Sequence, residues 1–323
     1  MNKKIAHLPH VKRHLELLAR KIEKDIQARA YDRALKNIKF LEKQQFYYPA
    51  IYKNKLFCLT KLERWAEAEA LSETLLKRQN DRDYVEYFLY YLTSLYHQGQ
   101  YSFVQQLIED HLGDVRITNE HREYLCHLQN ESLKKLKEKS NELLKKLELA
   151  ILTKNEIEQW LLINRWKALN APPAKLILEM LSMAEVNPFV KTAILFELHE
   201  RNIEDVVYIE KNGRKLKIKA AELPYLTEHP LYVDALKHLE AVEQKDPTLY
   251  SFSVELLERS FEYDYPFMED AKNVDLIAEA ATLAAKEHLF GKVGSEMEEN
   301  EELLANKQQI EAKYEAFLRL TIA

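Results

Sequence analysis

The sequence predicts an all-α protein: a solenoid of helical hairpins, followed by a helical domain with one inserted β-hairpin at about residues 206–218. Three observations carry this reading. Glycine occurs only five times in 323 residues, while Leu, Ala, Glu and Lys, all good helix formers, dominate. In the first half, a pair of amphipathic helices joined at an aromatic residue recurs at a nearly constant interval. One stretch only, DVVYIEKNGRKLKIK from Asp205, alternates with period two about an Asn-Gly pair.

The repeat comes first in the chain. Tyr31 precedes Ala34, Ile38 and Leu41 at helical spacing; Trp65 stands in the same way to Ala68, Ser72 and Leu75, and Tyr101 to Val104, Ile108 and Leu112. Trp65 follows Tyr31 by 34 residues, and Tyr101 follows Trp65 by 36. Upstream of each aromatic lies another apolar stripe: Leu15, Leu18 and Ile22; then Tyr52, Leu56 and Leu59; then Phe88, Leu92 and Leu95. Each unit reads helix, short turn, helix, and the small residue after the aromatic lets the two helices approach. A lone hairpin would expose its apolar stripe, so the units must stack.

These three units resemble tetratricopeptide repeats (TPR) over roughly residues 12–115, with turn aromatic, small residue and spacing all recurring. Only the third unit has the usual turn glycine, Gly99. The second half resembles the C-terminal part of some bacterial TPR proteins, which implies no activity. The resemblance implies a concave groove lined by the first helix of each repeat. Here that groove would comprise Arg20 and Glu23, then Lys53, Asn54, Phe57 and Lys61, then Tyr90, Thr93 and His97. A carboxylate clamp for chaperone tails is not implied. Asn54 fits it, but Ala19, Glu23, Glu86 and Tyr90 hold the other positions, and two carboxylates would repel a third. The tyrosine-rich run from Tyr84 to Tyr101 reads mainly as core between hairpins, leaving Tyr90, and as a second candidate Tyr96, to face the groove.

The expected organisation is a repeat domain over 1–117, a connecting helix over 118–152 and a C-terminal domain over 153–323. In the connector, Leu133, Leu136, Leu143, Leu147 and Ile151 mark one narrow apolar face. Thr153 with Glu156 reads as a capping box opening the next helix, which carries Trp160, Leu161 and Trp166 and stops at Asn170-Ala171-Pro172-Pro173. A helix to about Met183 follows, and Asn187-Pro188 and Asp246-Pro247 each read as cap and first turn of later helices. A helix near 270–290, an acidic glycine-containing linker and a last helix complete the chain.

If Asn212-Gly213 forms a two-residue turn, Lys211 pairs with Arg214, Ile209 with Leu216 and Val207 with Ile218. These apolar residues then share one face, and Val206, Tyr208, Glu210, Lys215, Lys217 and Lys219 share the other. Tyr208, Lys215, Lys217 and Lys219 form a second candidate contact face. Helix, turn, helix and basic hairpin is also the order of a winged-helix domain, so a nucleic-acid-binding regulator with a TPR sensor is the alternative function. The intervening helix argues against it. Apolar residues from Phe189 to Leu198 wrap it, only Lys191 and Thr192 are placed to reach bases, and Glu197 and Glu200 would face phosphates badly.

Chemistry-bearing motifs are sparse. His7, His10 and His14 are broken by Pro9 and lack acidic or thiol partners. His121 and His127 about Cys126 do not share a helical face, and GKVG at 291–294 lacks the strand and Ser/Thr of a phosphate loop. Glu262 and Asp264 are the nearest thing to a carboxylate pair and read as solvated. No enzyme, cofactor or metal site is expected. A net charge of −5 gives no global attraction for nucleic acid, and two unpaired cysteines fit a reducing compartment. The uncharged run Tyr87–Ile108 is too polar at its centre for lipid. The expectation is a cytoplasmic, non-catalytic protein-interaction scaffold. It would hold a peptide or helix with Lys53 and Lys61 for charge, Asn54 for backbone hydrogen bonds, and Phe57 and Tyr90 for apolar contact.

Overall fold

The computed structural model describes residues 9–48, 50–78, 82–268, 273–291 and 300–322. The chain divides into two compact units, Met1–Lys139 and Ser140–Ala323. Unit 1 contains α1 (Pro9–Gln27), α2 (Tyr31–Lys43), α3 (Ile51–Lys61), α4 (Trp65–Leu76), α5 (Tyr84–His97) and α6 (Tyr101–His111), and α7 (Asn119–Leu152) carries residues of both units.

The three aromatic residues that mark the repeat each begin the second helix of a hairpin. Two residues before each, the chain enters the left-handed region: Arg29 at φ 57°, Glu63 at 55° and Gly99 at 82°. The next amide then reaches back five residues to a carbonyl in the last turn of the first helix. These bonds are Ala30 N to Asp25 O at 2.8 Å, Arg64 N to Leu59 O at 2.9 Å and Gln100 N to Leu95 O at 3.0 Å. All three turns are therefore the same Schellman-type stop, and the first two adopt it without glycine. A side chain in this region costs about 1–2 kcal/mol, so arginine and glutamate occupy these positions under strain.

Packing follows the repeat. Ala34, Ala68 and Val104, the residues three after each aromatic, are fully buried, as are Ile38, Leu41, Ser72 and Ile108. Complete burial of an isoleucine of this kind contributes about 1.5–3 kcal/mol. Ser72 sits where the other units have isoleucine, and its hydroxyl donates to Ala68 O at 2.7 Å, so this serine is not left unsatisfied in the core. Leu112 falls just beyond α6 and is exposed. On α7, Leu136, Leu143, Leu147 and Ile151 are buried, but Leu133 is 49% exposed and Ser132 takes the inward position. A narrow stripe on so long a helix drifts with the 3.6-residue period, and Leu133 lies one position off it.

Unit 2 contains α8 (Glu156–Leu169), α9 (Lys175–Met180), α10 (Pro188–Glu200), β1 (Val206–Lys211), β2 (Arg214–Lys219), α11 (Pro230–Glu243), α12 (Pro247–Asp264), α13 (Val274–Phe290) and α14 (Glu301–Thr321). Asn155 caps α8 in place of Thr153: its side chain accepts from Glu158 N at 3.1 Å, while Thr153 Oγ1 turns back to Leu149 O at 2.9 Å. Lys154 in the left-handed region ends α7 with the same stop as the repeat turns, which carries the cap position two residues past Thr153. Asn187 and Asp246 cap α10 and α12, with Pro188 and Pro247 in their first turns. The acidic linker, 292–299, lies outside the described residues.

Helix α10 is buried on nearly every side, from Phe189 and Val190 through Leu195 and Leu198, and its polar residues Lys191 and Thr192 are only 3% and 2% exposed. The two-stranded sheet has the register that the Asn-Gly turn dictates: Lys211 opposite Arg214, Ile209 opposite Leu216, Val207 opposite Ile218. Both turn residues have positive φ, Asn212 at 51° and Gly213 at 77°, as a type I′ turn requires. Val207 and Ile209 are buried on the inner face.

The inner face also carries a residue that hydropathy alone misplaces. Lys211 is 2% exposed. Its Nζ donates to Thr192 Oγ1, to Tyr263 O at 3.0 Å and to Glu262 O at 3.5 Å, so the side chain ends on the last carbonyls of α12. Lys191 Nζ in turn donates to Glu210 O at 2.6 Å, and Glu210 N donates to Leu181 O at 3.0 Å. The hairpin is thus fastened to α10, α12 and the end of α9 by lysine donors and by one backbone bond.

Candidate functional site

Helices α1, α3 and α5 open the three hairpins. Between α3 and α5 lies a depression of about 360 Å³, walled by Phe57, Leu89, Tyr90 and Tyr124 and edged by Lys61 and Glu86. Steps of three and four place Phe57, Thr60 and Lys61 on one helix and Glu86, Tyr90 and Thr93 on the other, facing the same space. The depression is aromatic because the core needs only one face of each helix. Tyr87 and Phe88 are spent inward at 2% and 3% exposure, and Tyr90 on the opposite stripe remains half-buried.

Most polar groups here are already engaged. Lys53 Nζ lies 2.7 Å from Glu86 Oε1 and 3.3 Å from Asp83 Oδ1, and the Glu86 hydrogen bond raises the lysine pKa against a smaller effect of burial. Asn54 Nδ2 donates to the Tyr48 hydroxyl at 3.0 Å. Thr60 Oγ1 donates to Phe57 O at 2.9 Å and Thr93 Oγ1 to Leu89 O at 2.7 Å. The Tyr124 hydroxyl, 2.7 Å from Thr93 Oγ1, is left as the donor in that pair. Two groups keep capacity. Lys61 Nζ sits 5.4 Å from the Phe57 ring centre and meets no carboxylate among the described residues. The Tyr90 hydroxyl, its pKa raised by burial and then by Glu86, has no hydrogen-bond partner among them.

The sequence-derived groove residues therefore separate. Phe57, Lys61, Tyr90 and Thr93 come together on the depression, with Lys53 and Asn54 adjoining it. Arg20 and Glu23 are exposed on α1 and do not line it. His97 lies flat on Trp65, with ring centres 3.9 Å apart and planes within 7°, and is tied to the hairpin turn. Tyr124 went unnoticed because it belongs to α7, outside the repeat. Nothing in the 34-residue period points to it.

On the hairpin, Tyr208 is 59% exposed with Lys217 Nζ 5.1 Å above its ring. Lys215 Nζ is 3.2 Å from Glu210 Oε2, and Lys219 Nζ is 3.8 Å from Glu222 Oε1. These residues do share the solvent face. The helix that a winged-helix reading would send into a DNA groove is α10, and its Lys191 and Thr192 are turned into the protein, so that reading finds no support here.

Unit 2 has a larger depression, about 580 Å³, bounded by Arg214 and Phe267 and by Asp264 and Lys313. Glu262 and Asp264 do not form a solvated pair. Glu262 is bound by Arg259 and has its pKa raised by burial, whereas Asp264 is held by Lys313 Nζ at 2.6 Å. Each carboxylate therefore has its own cation. Among the described residues no three His, Cys, Asp or Glu side chains cluster to hold a metal ion, and no described helix is long and apolar enough to cross a membrane.

No family model matches the chain, and no solved structure matches it. Among curated proteins, the chain is 28% identical over 318 residues to the TPR repeat-containing protein YsoA of Bacillus subtilis (strain 168), an alignment spanning 94% of this chain and 90% of that protein. With that similarity and the three recurring hairpins, this is a TPR-like protein of all-α fold with one inserted β-hairpin.

Proposed function

We propose that this protein is a non-catalytic adaptor that captures a peptide segment or helix of a partner protein on the face formed by α3 and α5. The observation that carries this is the aromatic depression beside Lys61, where half-buried rings and an uncompensated cation stand together on the surface of a repeat fold. An apolar side chain of the partner enters between Phe57 and Tyr90, displacing water from Leu89 and Tyr124. A carboxylate on the partner meets Lys61, and the Tyr90 hydroxyl supplies a hydrogen bond to its backbone. Lys53 and Asn54 act at one remove, because each would have to leave Glu86 or Tyr48 to touch a ligand. The cytoplasm is the compartment proposed. Free Cys58 and Cys126 fit a reducing environment, and burial pushes the Cys58 thiol up to about 11.

The test is affinity capture from native lysate, with nuclease present, comparing wild type with Lys61→Glu/Tyr90→Ala. The expected result is a protein partner lost in the variant, since truncating an aromatic anchor costs roughly 2 kcal/mol, about thirtyfold in affinity. Recovery of the same proteins by both forms would refute the site.

A further inference from the structure

We infer that the outer edge of β2 accepts an extended acidic segment of a partner protein as a third strand. This surface is independent of the α3–α5 face. In a two-residue hairpin the residues flanking the turn exchange hydrogen bonds, and pairs then alternate between bonded and non-bonded. Lys211 opposite Arg214 is bonded, so the outward backbone groups belong to Val206, Tyr208 and Glu210 on β1 and to Lys215, Lys217 and Lys219 on β2. The β1 edge confirms the phase: Glu210 N–H meets Leu181 O, and Glu210 O receives Lys191 Nζ. The β2 edge has no counterpart. Among the described residues no backbone group of Lys215, Lys217 or Lys219 finds a backbone partner outside the hairpin.

The side chains on this edge specify the occupant. Lys215, Lys217 and Lys219 point to the solvent face, while Leu216 and Ile218 are half-buried on the inner face. An added strand would therefore place acidic residues beside the three lysines and apolar residues, in alternation with them, beside Leu216 and Ile218. The lysines exclude a second copy of this edge, since an antiparallel pairing of β2 with itself would stack lysine on lysine. Exposed lysines on a strand edge discourage indiscriminate pairing. The same charges select an acidic partner by complementarity, with Lys215 and Lys219 exchanging their weakly held surface partners Glu210 and Glu222 for carboxylates of the added strand.

The full-length protein would be titrated into a fluorescein-labelled, N-acetylated octapeptide of alternating Glu and Val, with binding read by anisotropy. Binding is expected to weaken with salt and to exceed that of a Lys–Val octapeptide by at least about tenfold. N-methylation of one alternate set of peptide amides should abolish binding, and methylation of the other set should leave it intact. The variant K215E/K217E/K219E should reverse the preference toward the Lys–Val peptide, with hydrogen exchange at Ile209 and Leu216 showing that the hairpin persists. The groove variant Lys61→Glu/Tyr90→Ala should bind the Glu–Val peptide as wild type does, which separates this surface from the α3–α5 face. Absence of binding, indifference to methylation, or equal binding of the Lys–Val peptide would overturn the inference and leave the lysines as guards of the edge.

Discussion

Replacing Arg29 and Glu63 together by glycine should stabilise the repeat unit. Both residues hold positive φ, at 57° and 55°, in turns that the third hairpin makes with Gly99. Both side chains are exposed, and neither forms a hydrogen bond or ion pair among the described residues, so their removal forfeits no contact. Relief of the left-handed backbone is worth about 1–2 kcal/mol per site, and the extra freedom of glycine in the unfolded chain takes back roughly 0.5–1. The net is about 0.5–1 kcal/mol per site and roughly twice that for the pair, because the turns are a full repeat apart and share no partner. Urea unfolding can be followed by Trp65 fluorescence in a Trp160→Phe/Trp166→Phe background, which confines the signal to the repeat unit. At a urea slope of about 1–3 kcal/mol per molar, the midpoint should rise by roughly 0.5 M. Gly99→Ala supplies the opposite sign, a loss of about 1 kcal/mol. A Cβ there meets the flexible end of Lys139 at 3.1 Å and the Tyr101 ring at an ordinary 4.0 Å, so the cost lies in the backbone. A double variant no more stable than its parent, or a neutral Gly99→Ala, would refute the equivalence of the three turns.

Lys211 gives a prediction in pH. Burial drives its pKa well below 10.5, outweighing the attraction of Asp264 and Glu262, so between its folded pKa and 10.5 the unfolded chain binds the extra proton and stability rises with pH. Relative to Lys211→Met, the wild type should gain up to about 1.4 kcal/mol per pH unit within that window; urea midpoints measured below pH ~10, before tyrosines ionise, would show it, and parallel curves would exclude it. Gly213→Ala should destabilise the hairpin by about 1 kcal/mol although nothing lies within 4 Å of the added Cβ, because the cost is in its positive φ; hydrogen exchange at Val207 and Ile209 would report it. Leu147→Ala should cost about 2–5 kcal/mol and Leu133→Ala less than about 0.5, a contrast that thermal unfolding would resolve.

How far the sequence could be read depended on the range of the interaction that settled each point. The hairpin register was legible because the side-chain period is two and Asn-Gly fixes the turn; a slip of one residue would have put Val207 and Ile209 in water. Lys211 lies two residues beyond Ile209 and shares its face, but its burial was not read from the sequence, because the charge of a lysine argues against it. The cap of α8 was misplaced because Thr153 and Asn155 both satisfy a local pattern, and the left-handed Lys154 that chooses between them is a property of the folded turn. In the candidate site, Phe57 and Tyr90 followed from the resemblance to tetratricopeptide repeats, which implies a groove along the first helix of each hairpin. The engagement of Lys53 did not, since its partners Glu86 and Asp83 come from the next repeat. Repeat periodicity says which helices stand side by side, and it is silent on which charges between them cancel.

The fastening of the hairpin also sets an order of events during synthesis. Lys211 finds its carbonyl at Tyr263, fifty-two residues later, and Thr192 Oγ1 finds that of Glu262 seventy residues later. At about 5–20 residues per second, the amine of a newly made Lys211 waits several seconds before its acceptors exist. Each hairpin of the repeat, by contrast, closes on a turn only a few residues long and can form as it emerges. The repeat hairpins can thus form as they are translated, while β1 and β2 find α9 and α10 already made but lack the α12 carbonyls that hold Lys211 until that helix follows.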